Sequence, residues 1–167
     1  MKKVLMIIAP SDFRDEEYFD TRKVLEEFGF DVKVANSTGQ PSKSKFGKIV
    51  SPDSNFYEVD SNIYDAIIFV GGMGSAQYFG NNRALELARH FNEDGKIVAA
   101  ICIAPSILAN AGILVGRRAT AFPSERDNIN AVSTYTGNDV EVDNNIITAN
   151  GPKAAIEFGK KIAEALK

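Results

Sequence analysis

The chain has no tryptophan, one cysteine and one histidine among its 167 residues. A lone cysteine excludes an intrachain disulfide, and a single Cys and a single His supply no metal-ligand set, so neither metal nor cofactor is expected. Long apolar runs are also missing. No stretch approaches the roughly 18 residues that a membrane span needs. Nor does one sign of charge dominate: 19 Lys and Arg stand against 22 Asp and Glu, for a net charge of -3, without long single-sign blocks. That distribution offers no electrostatic footprint for nucleic acid or an anionic membrane. The start, Met1-Lys2-Lys3 followed by Val4 to Ala9, carries the charge of a signal peptide. Its apolar run is short, however, and Asp12, Arg14 and Asp15 follow at once, so the segment reads as a strand and the expected location is cytoplasmic.

What is present is an ordinary globular composition, 44% hydrophobic, sufficient for one domain over residues 1–167. Lys3 to Ala9 is a continuous apolar run, as expected of a parallel strand covered on both faces. A helix follows from about Asp15 to Phe28, with Thr21, Val24, Leu25 and Phe28 on one face and Gly29 ending it. Phe30 to Ala35 completes a strand-helix-strand unit. Residues 36–62 are punctuated by Gly39, Pro41, Gly47 and Pro52, which implies an excursion or hairpin, with Phe46 to Val50 a candidate strand. Tyr64 to Val70 is another apolar strand, running into Gly71-Gly72-Met73-Gly74. Asn81 or Asn82 caps a helix with Ala84, Leu87, Ala88 and Phe91 at core spacing, and Ile97 to Ile101 is the next strand.

Beyond it, a short buried helix from Ala104 to Ala111 carries Pro105 in its first turn. Arg118 to Phe122 reads as a strand, and Ser124 to Val132 as a helix opened by Ser124 and Asp127. Val140 to Val142 and Ile146 to Ala149 form a hairpin. A final helix from Pro152 places Ala155, Phe158, Ile162 and Ala165 on one face. Strands alternating with helices imply a three-layer α/β sandwich around a mostly parallel sheet, whose sites form outside the carboxyl ends of the strands.

Three strand ends carry candidate chemistry. Cys102 stands immediately after Ile101 and before a Pro-initiated helix. This is the setting of a nucleophile elbow, where a helix N-terminus lowers a thiol's pKa. A cysteine within an apolar run is more often a small buried hydrophobe, but the junction position argues for function. The Gly loop fails the dinucleotide fingerprint because Gln77 takes its sixth position. Its functional reading is that Gly72 lets a backbone amide approach the sulfur and, with the amide of Ile103, forms an oxyanion hole. The run Asp12 to Glu17 suits an acidic first helical turn. Glu17, beside the buried-face residues Tyr18 and Phe19, is the acid nearest to being drawn over the sheet edge, where desolvation would protonate it and let it serve as acid and base. The only histidine, His90, falls off the buried stripe of its helix and reads as solvated, as do Arg117 and Arg118.

With these pieces placed, the chain resembles the ThiJ/PfpI family, of class I glutamine amidotransferase-like, flavodoxin-like fold. The resemblance is carried by Asp12-Phe-Arg-Asp-Glu-Glu17, Tyr64 to Gly72, Gly95 to Cys102, Ala109 to Leu114 and Asp143 to Pro152. It implies Cys102 as nucleophile, Glu17 as its acidic partner, and the amides of Gly72 and Ile103 as oxyanion donors. It also implies a homodimer or larger assembly. Protease-like members carry a histidine directly after the cysteine, where this chain has Ile103. They also supply a glutamate after the Gly loop, where Ser75 to Phe79 holds no acid. The position where some relatives place a histidine is Phe122.

What remains is a cysteine-acid pair walled by Ile103, Phe122 and Tyr18. It suits a small reactive carbonyl, in glyoxalase-like or deglycase-like chemistry. An oxidation-sensing or protective protein is the alternative, with an oxidant as partner and Cys102 going to sulfinate. An intracellular cysteine peptidase or other hydrolase is disfavoured by Ile103.

Overall fold

The computed structural model describes residues 1–167. Seven strands form the central sheet, in the spatial order Val140–Asp143, Ile146–Ala149, Ile97–Ile101, Ala66–Phe69, Lys3–Ile7, Asp31–Asn36 and Ser54–Asn55. Every neighbouring pair is parallel except the Val140–Ala149 hairpin at one edge. Parallel strands need crossover connections, and the helices that make them cover both faces.

Side chains alternate along each strand, so one apolar run serves two cores. Leu5, Ile7, Ile67, Phe69, Val98 and Ala100 face the helices Asn82–Glu93 and Pro105–Asn110. Val4, Met6, Ile8, Ile68, Ala99 and Ile101 face Asp15–Glu27 and Ala155–Leu166. The register pairs Ile7 with Phe69, Phe69 with Ala100, and Ile101 with Ala149. The carboxyl ends of these central strands therefore finish side by side, and the loops after them share one edge. No helix is long and apolar enough to cross a membrane.

The expected cap is present: the Asn81 side chain accepts from the Ala84 amide at 2.9 Å, satisfying one of the orphan donors of the helix. The excursion of residues 36–62 contains a small hairpin, Ser42–Ser44 against Ile49–Val50. Only the end of the candidate strand Phe46 to Val50 is strand, because Phe46 lies in the hairpin turn and is exposed. Four further expectations are corrected. Phe28 caps its helix and lies outside the buried face, stacked on Phe30 with Lys167 over its ring. Only Arg118–Ala119 of the expected Arg118 to Phe122 strand pairs with another strand, Thr134–Tyr135. The Thr120 amide instead donates to Thr148 Oγ1 at 3.0 Å and the Phe122 amide to the Cys102 carbonyl at 2.8 Å. Ser124 does not cap: its hydroxyl donates to Glu125, and after a 3-10 turn over Pro123–Glu125 the α-helix spans just Arg126–Asn130. In the last helix Leu166 takes the buried position expected of Ala165, continuing the line from Phe158 and Ile162.

Candidate active site

Cys102 sits at the turn between its strand and the following helix with φ of +66°, one of three non-glycine residues with positive φ. Left-handed backbone costs an L-residue roughly 1–2 kcal/mol, and such conformations are held only where their surroundings over-determine them. Here both backbone groups are fastened. The Cys102 amide donates to the Ala149 carbonyl at 2.9 Å, and the Cys102 carbonyl accepts from the Phe122 amide at 2.8 Å. The helix itself starts at Pro105 and has six residues, so the thiol stands just before its first turn.

The Gly loop closes over the sulfur from the neighbouring strand. Gly71 lies against both Cys102 and Glu17: a β-carbon built on it would lie 2.6 Å from Cys102 Cβ and 2.6 Å from the Ile101 carbonyl oxygen, and would also strike the Glu17 carboxyl. Gly72 has φ of +102° and leaves no room for a side chain either, since its β-carbon would lie 2.6 Å from the Asp12 carbonyl. The Gly71 carbonyl accepts from the Arg14 amide at 3.0 Å, tying the first loop to the second. The backbone amides of Gly72 and Ile103 face the sulfur, which is where the sequence places a pair of oxyanion donors.

Glu17 is fully buried, and neither carboxyl oxygen completes a hydrogen bond of ordinary geometry. The groups that face it are the Cys102 thiol, the Arg14 guanidinium and the Gly71 amide. These favour the carboxylate, but burial outweighs them and pushes Glu17 up to about 8. Burial, and next the charge of Glu17, push the Cys102 thiol up to about 12, against the lowering effect of the Gly72 and Ile103 amides. The helix N-terminus thus fails to activate the thiol in the resting protein, because desolvation is the larger effect.

The thiol and Glu17 open into a cavity of about 460 Å³, whose lining includes the apolar Ile103, Phe122, Met73, Phe79 and Pro152 and the charged Arg14, Lys45 and Glu125. Ile103 and Phe122 take the wall positions read from the sequence. Tyr18 does not: it packs against Phe13 and Phe19, and its hydroxyl accepts from Arg22 at 2.6 Å. Successive helical residues point about 100° apart, so a helix that aims Glu17 at the thiol turns Tyr18 away from it. His90 is exposed on the helix Asn82–Glu93, away from this cavity.

The sequence points to Gly72 of its loop but assigns no role to Gly71, Met73, Phe79, Glu125 or Pro152, all of which lie at the site. Gly71 was visible as the first glycine after a strand. Pro152 follows a fourth strand end, Ala149, which the strand-end rule also covers. Met73 and Phe79 belong to a 3-10 segment, Met73–Tyr78 and its cap, too short to show a period.

The matches to known proteins extend over the same residues as this geometry. An uncharacterized protein of Methanocaldococcus jannaschii is 40% identical over 169 residues, covering 99% of this chain and 82% of its own. A deglycase of Pyrococcus abyssi is 32% identical over 164 residues, covering 98% of this chain and 99% of its own. The crystal structure of a ThiJ/PfpI domain protein from Brachyspira murdochii superposes with a TM-score of 0.96 at 32% identity, covering 98% of this chain and 95% of that one. The model of the DJ-1/PfpI family matches residues 2–165, and the chain belongs to that family.

Proposed function

We propose that the protein converts small 2-oxoaldehydes to 2-hydroxy acids, with Cys102 as nucleophile and Glu17 as the shuttle for protons. The observation that carries this reading is the Glu17 carboxyl: fully buried, without a conventional hydrogen-bond partner, and facing the thiol beside a glycine that admits no side chain. A buried carboxyl held near the operating pH suits repeated proton transfer. The enzymatic name of the Pyrococcus relative, a deglycase, supports reactive-carbonyl chemistry. We place this activity in the cytoplasm, in a homodimer.

The sulfur adds to the aldehyde carbon as its proton passes to the Glu17 carboxylate, and the resulting alkoxide is held by the Gly72 and Ile103 amides. Glu17 returns that proton to the alkoxide, which gives a hemithioacetal and restores the carboxylate. The carboxylate then moves the proton of the former aldehyde carbon to the adjacent carbonyl carbon while the hydroxyl proton passes to the carbonyl oxygen, leaving a thioester of the 2-hydroxy acid. Water hydrolyses the thioester and returns the thiol. One water is consumed and no external oxidant or reductant is needed. Because Glu17 must begin as carboxylate, and sits at about 8, kcat/KM rises more than tenfold between pH 6 and pH 8.

The test is conversion of methylglyoxal to lactate by purified protein. Wild type should form lactate with that pH profile, Glu17→Gln should lose it, and Cys102→Ala should form none. Equal turnover by Cys102→Ala refutes the reading. A thiol pushed up to about 12 holds little thiolate for direct oxidation, which weighs against the sensor alternative.

A further inference from the structure

We propose that the cavity selects 2-oxoaldehydes bearing an aromatic substituent, and that Phe122 is the residue that determines this preference. The inference rests on the thiol-and-glutamate reading for its chemistry, and on the cavity for its selectivity. A volume of about 460 Å³ falls in the range of pockets that bury most of a drug-sized ligand. A three-carbon dicarbonyl seated on the thiol leaves most of that space to water. Water in contact with the apolar sides of Met73, Phe79 and Phe122 is unfavourable, and an apolar group that displaces it gains affinity in proportion to the surface covered.

Two of those side chains are aromatic and line the cavity with their rings unpaired. Several aromatic rings are paired with one another, as are Phe13 with Tyr18 in the core and Phe28 with Phe30 at the surface. Phe69, Phe91 and Phe158 pair with no ring but are fully buried in the core. Phe79 and Phe122 also pair with no ring, yet both line the cavity, and Phe122 is 43% exposed. A free aromatic face beside a reacting carbon is the natural partner of a second ring, which stacks offset or edge-on.

The position of Phe122 is fixed by bonds on both sides. Its amide donates to the Cys102 carbonyl at 2.8 Å, and its carbonyl accepts from the Glu125 amide at 2.8 Å. The Glu125 carboxylate accepts from the fully buried Ser106 hydroxyl at 2.7 Å and from the Ser124 hydroxyl at 2.9 Å. Ser106 lies on the helix that follows the nucleophile. The wall is thereby tied to the elbow before any substrate arrives, which lowers the ordering cost of binding. The chemistry is unchanged by the substituent: R-CO-CHO and water give R-CH(OH)-COOH, with R aryl in place of methyl.

Initial rates with phenylglyoxal and methylglyoxal give one readout, and binding of the unreactive products mandelate and lactate to Cys102→Ala protein gives a second. The two products share a carboxylate and a hydroxyl, so their difference isolates the ring. KM for phenylglyoxal should lie at least tenfold below that for methylglyoxal, and mandelate should bind at least tenfold more tightly than lactate. Phe122→Ala should cut both preferences at least fivefold, and Phe122→Leu, which keeps bulk without a π-face, should restore only part. Equal binding of mandelate and lactate overturns the proposal whether or not there is turnover. If neither dicarbonyl reacts while mandelate is still preferred through Phe122, the chemical reading fails and the selectivity stands.

Discussion

Burial outweighs the polar groups that face Glu17, so its effect on folding has a definite sign. Its pKa is about 8 in the folded protein against an ordinary 4.5, and between those values the native state holds a proton that the unfolded chain has released. Stability therefore falls as pH rises through that window and the loss is complete above about pH 8. At 1.36 kcal/mol per pH unit, the cost is on the order of 4–5 kcal/mol. Glu17→Gln removes the titration while keeping the shape. The expected result is that the variant is more stable than wild type at pH 8 and nearly equal at pH 4.5. Urea midpoints at several pH values check this, since titrations common to both proteins cancel in the difference. A constant difference across pH would mean that Glu17 titrates normally. The same carboxyl shows what sequence carries and what it does not. An acid in the first helical turn beside apolar residues was enough to single it out. Its elevation follows the desolvation expected of an acid drawn over the sheet edge; the direction in which the thiol moves, with burial set against the helix terminus, depended on how much solvent the fold removes, which no spacing of residues reports.

At the scale of the element, the elbow concentrates strain at one position. Cys102 has φ of +66°, a conformation glycine adopts freely and other residues adopt at a cost. Cys102→Gly and Cys102→Ala both delete the sulfur, so their comparison isolates the backbone. The glycine variant should be the more stable, by about 1 kcal/mol after the greater freedom of glycine in the unfolded chain is counted. Thermal unfolding of the pair decides it, and an alanine variant equal to or above the glycine variant would show that the turn relaxes. Regular elements were legible from sequence because a buried strand or amphipathic helix repeats its pattern: Ile97–Ile101 and Asn82–Glu93 lie where expected. Arg118 to Phe122 misled because its amides serve other purposes. Thr120 and Phe122 donate to Thr148 and Cys102, and a segment diverted in this way is as apolar as one that joins a ladder.

Across the whole molecule, the site depends on a contact made by the far end of the chain. The first and last helices, Asp15–Glu27 and Ala155–Leu166, lie together on one face of the sheet. They meet at Gly159, where an added β-carbon would lie 3.1 Å from Val24 Cβ and 3.3 Å from the Thr21 carbonyl. The Thr21 hydroxyl donates to the Ala155 carbonyl at 3.3 Å, holding the approach. Glu17 stands one turn before Thr21 on that helix, so the depth at which the helix seats sets the reach of the carboxyl toward Cys102. Sequence alone gave no sign of this coupling, because it joins positions more than 130 residues apart and the glycine falls inside an otherwise regular helix. Gly159→Val is expected to force the helices apart, destabilising the fold by about 1–3 kcal/mol. It should also lower Cys102-dependent turnover more than the unfolded fraction accounts for, because the proton shuttle is withdrawn from the sulfur. Gly159→Ala, with a single methyl to accommodate, should show both effects in weaker form. Urea midpoints read the first effect, and kcat/KM under conditions where each variant is fully folded reads the second. A Gly159→Val protein that loses stability but keeps full turnover would show that the Gly loop, and not the packing of the two helices, sets the position of Glu17.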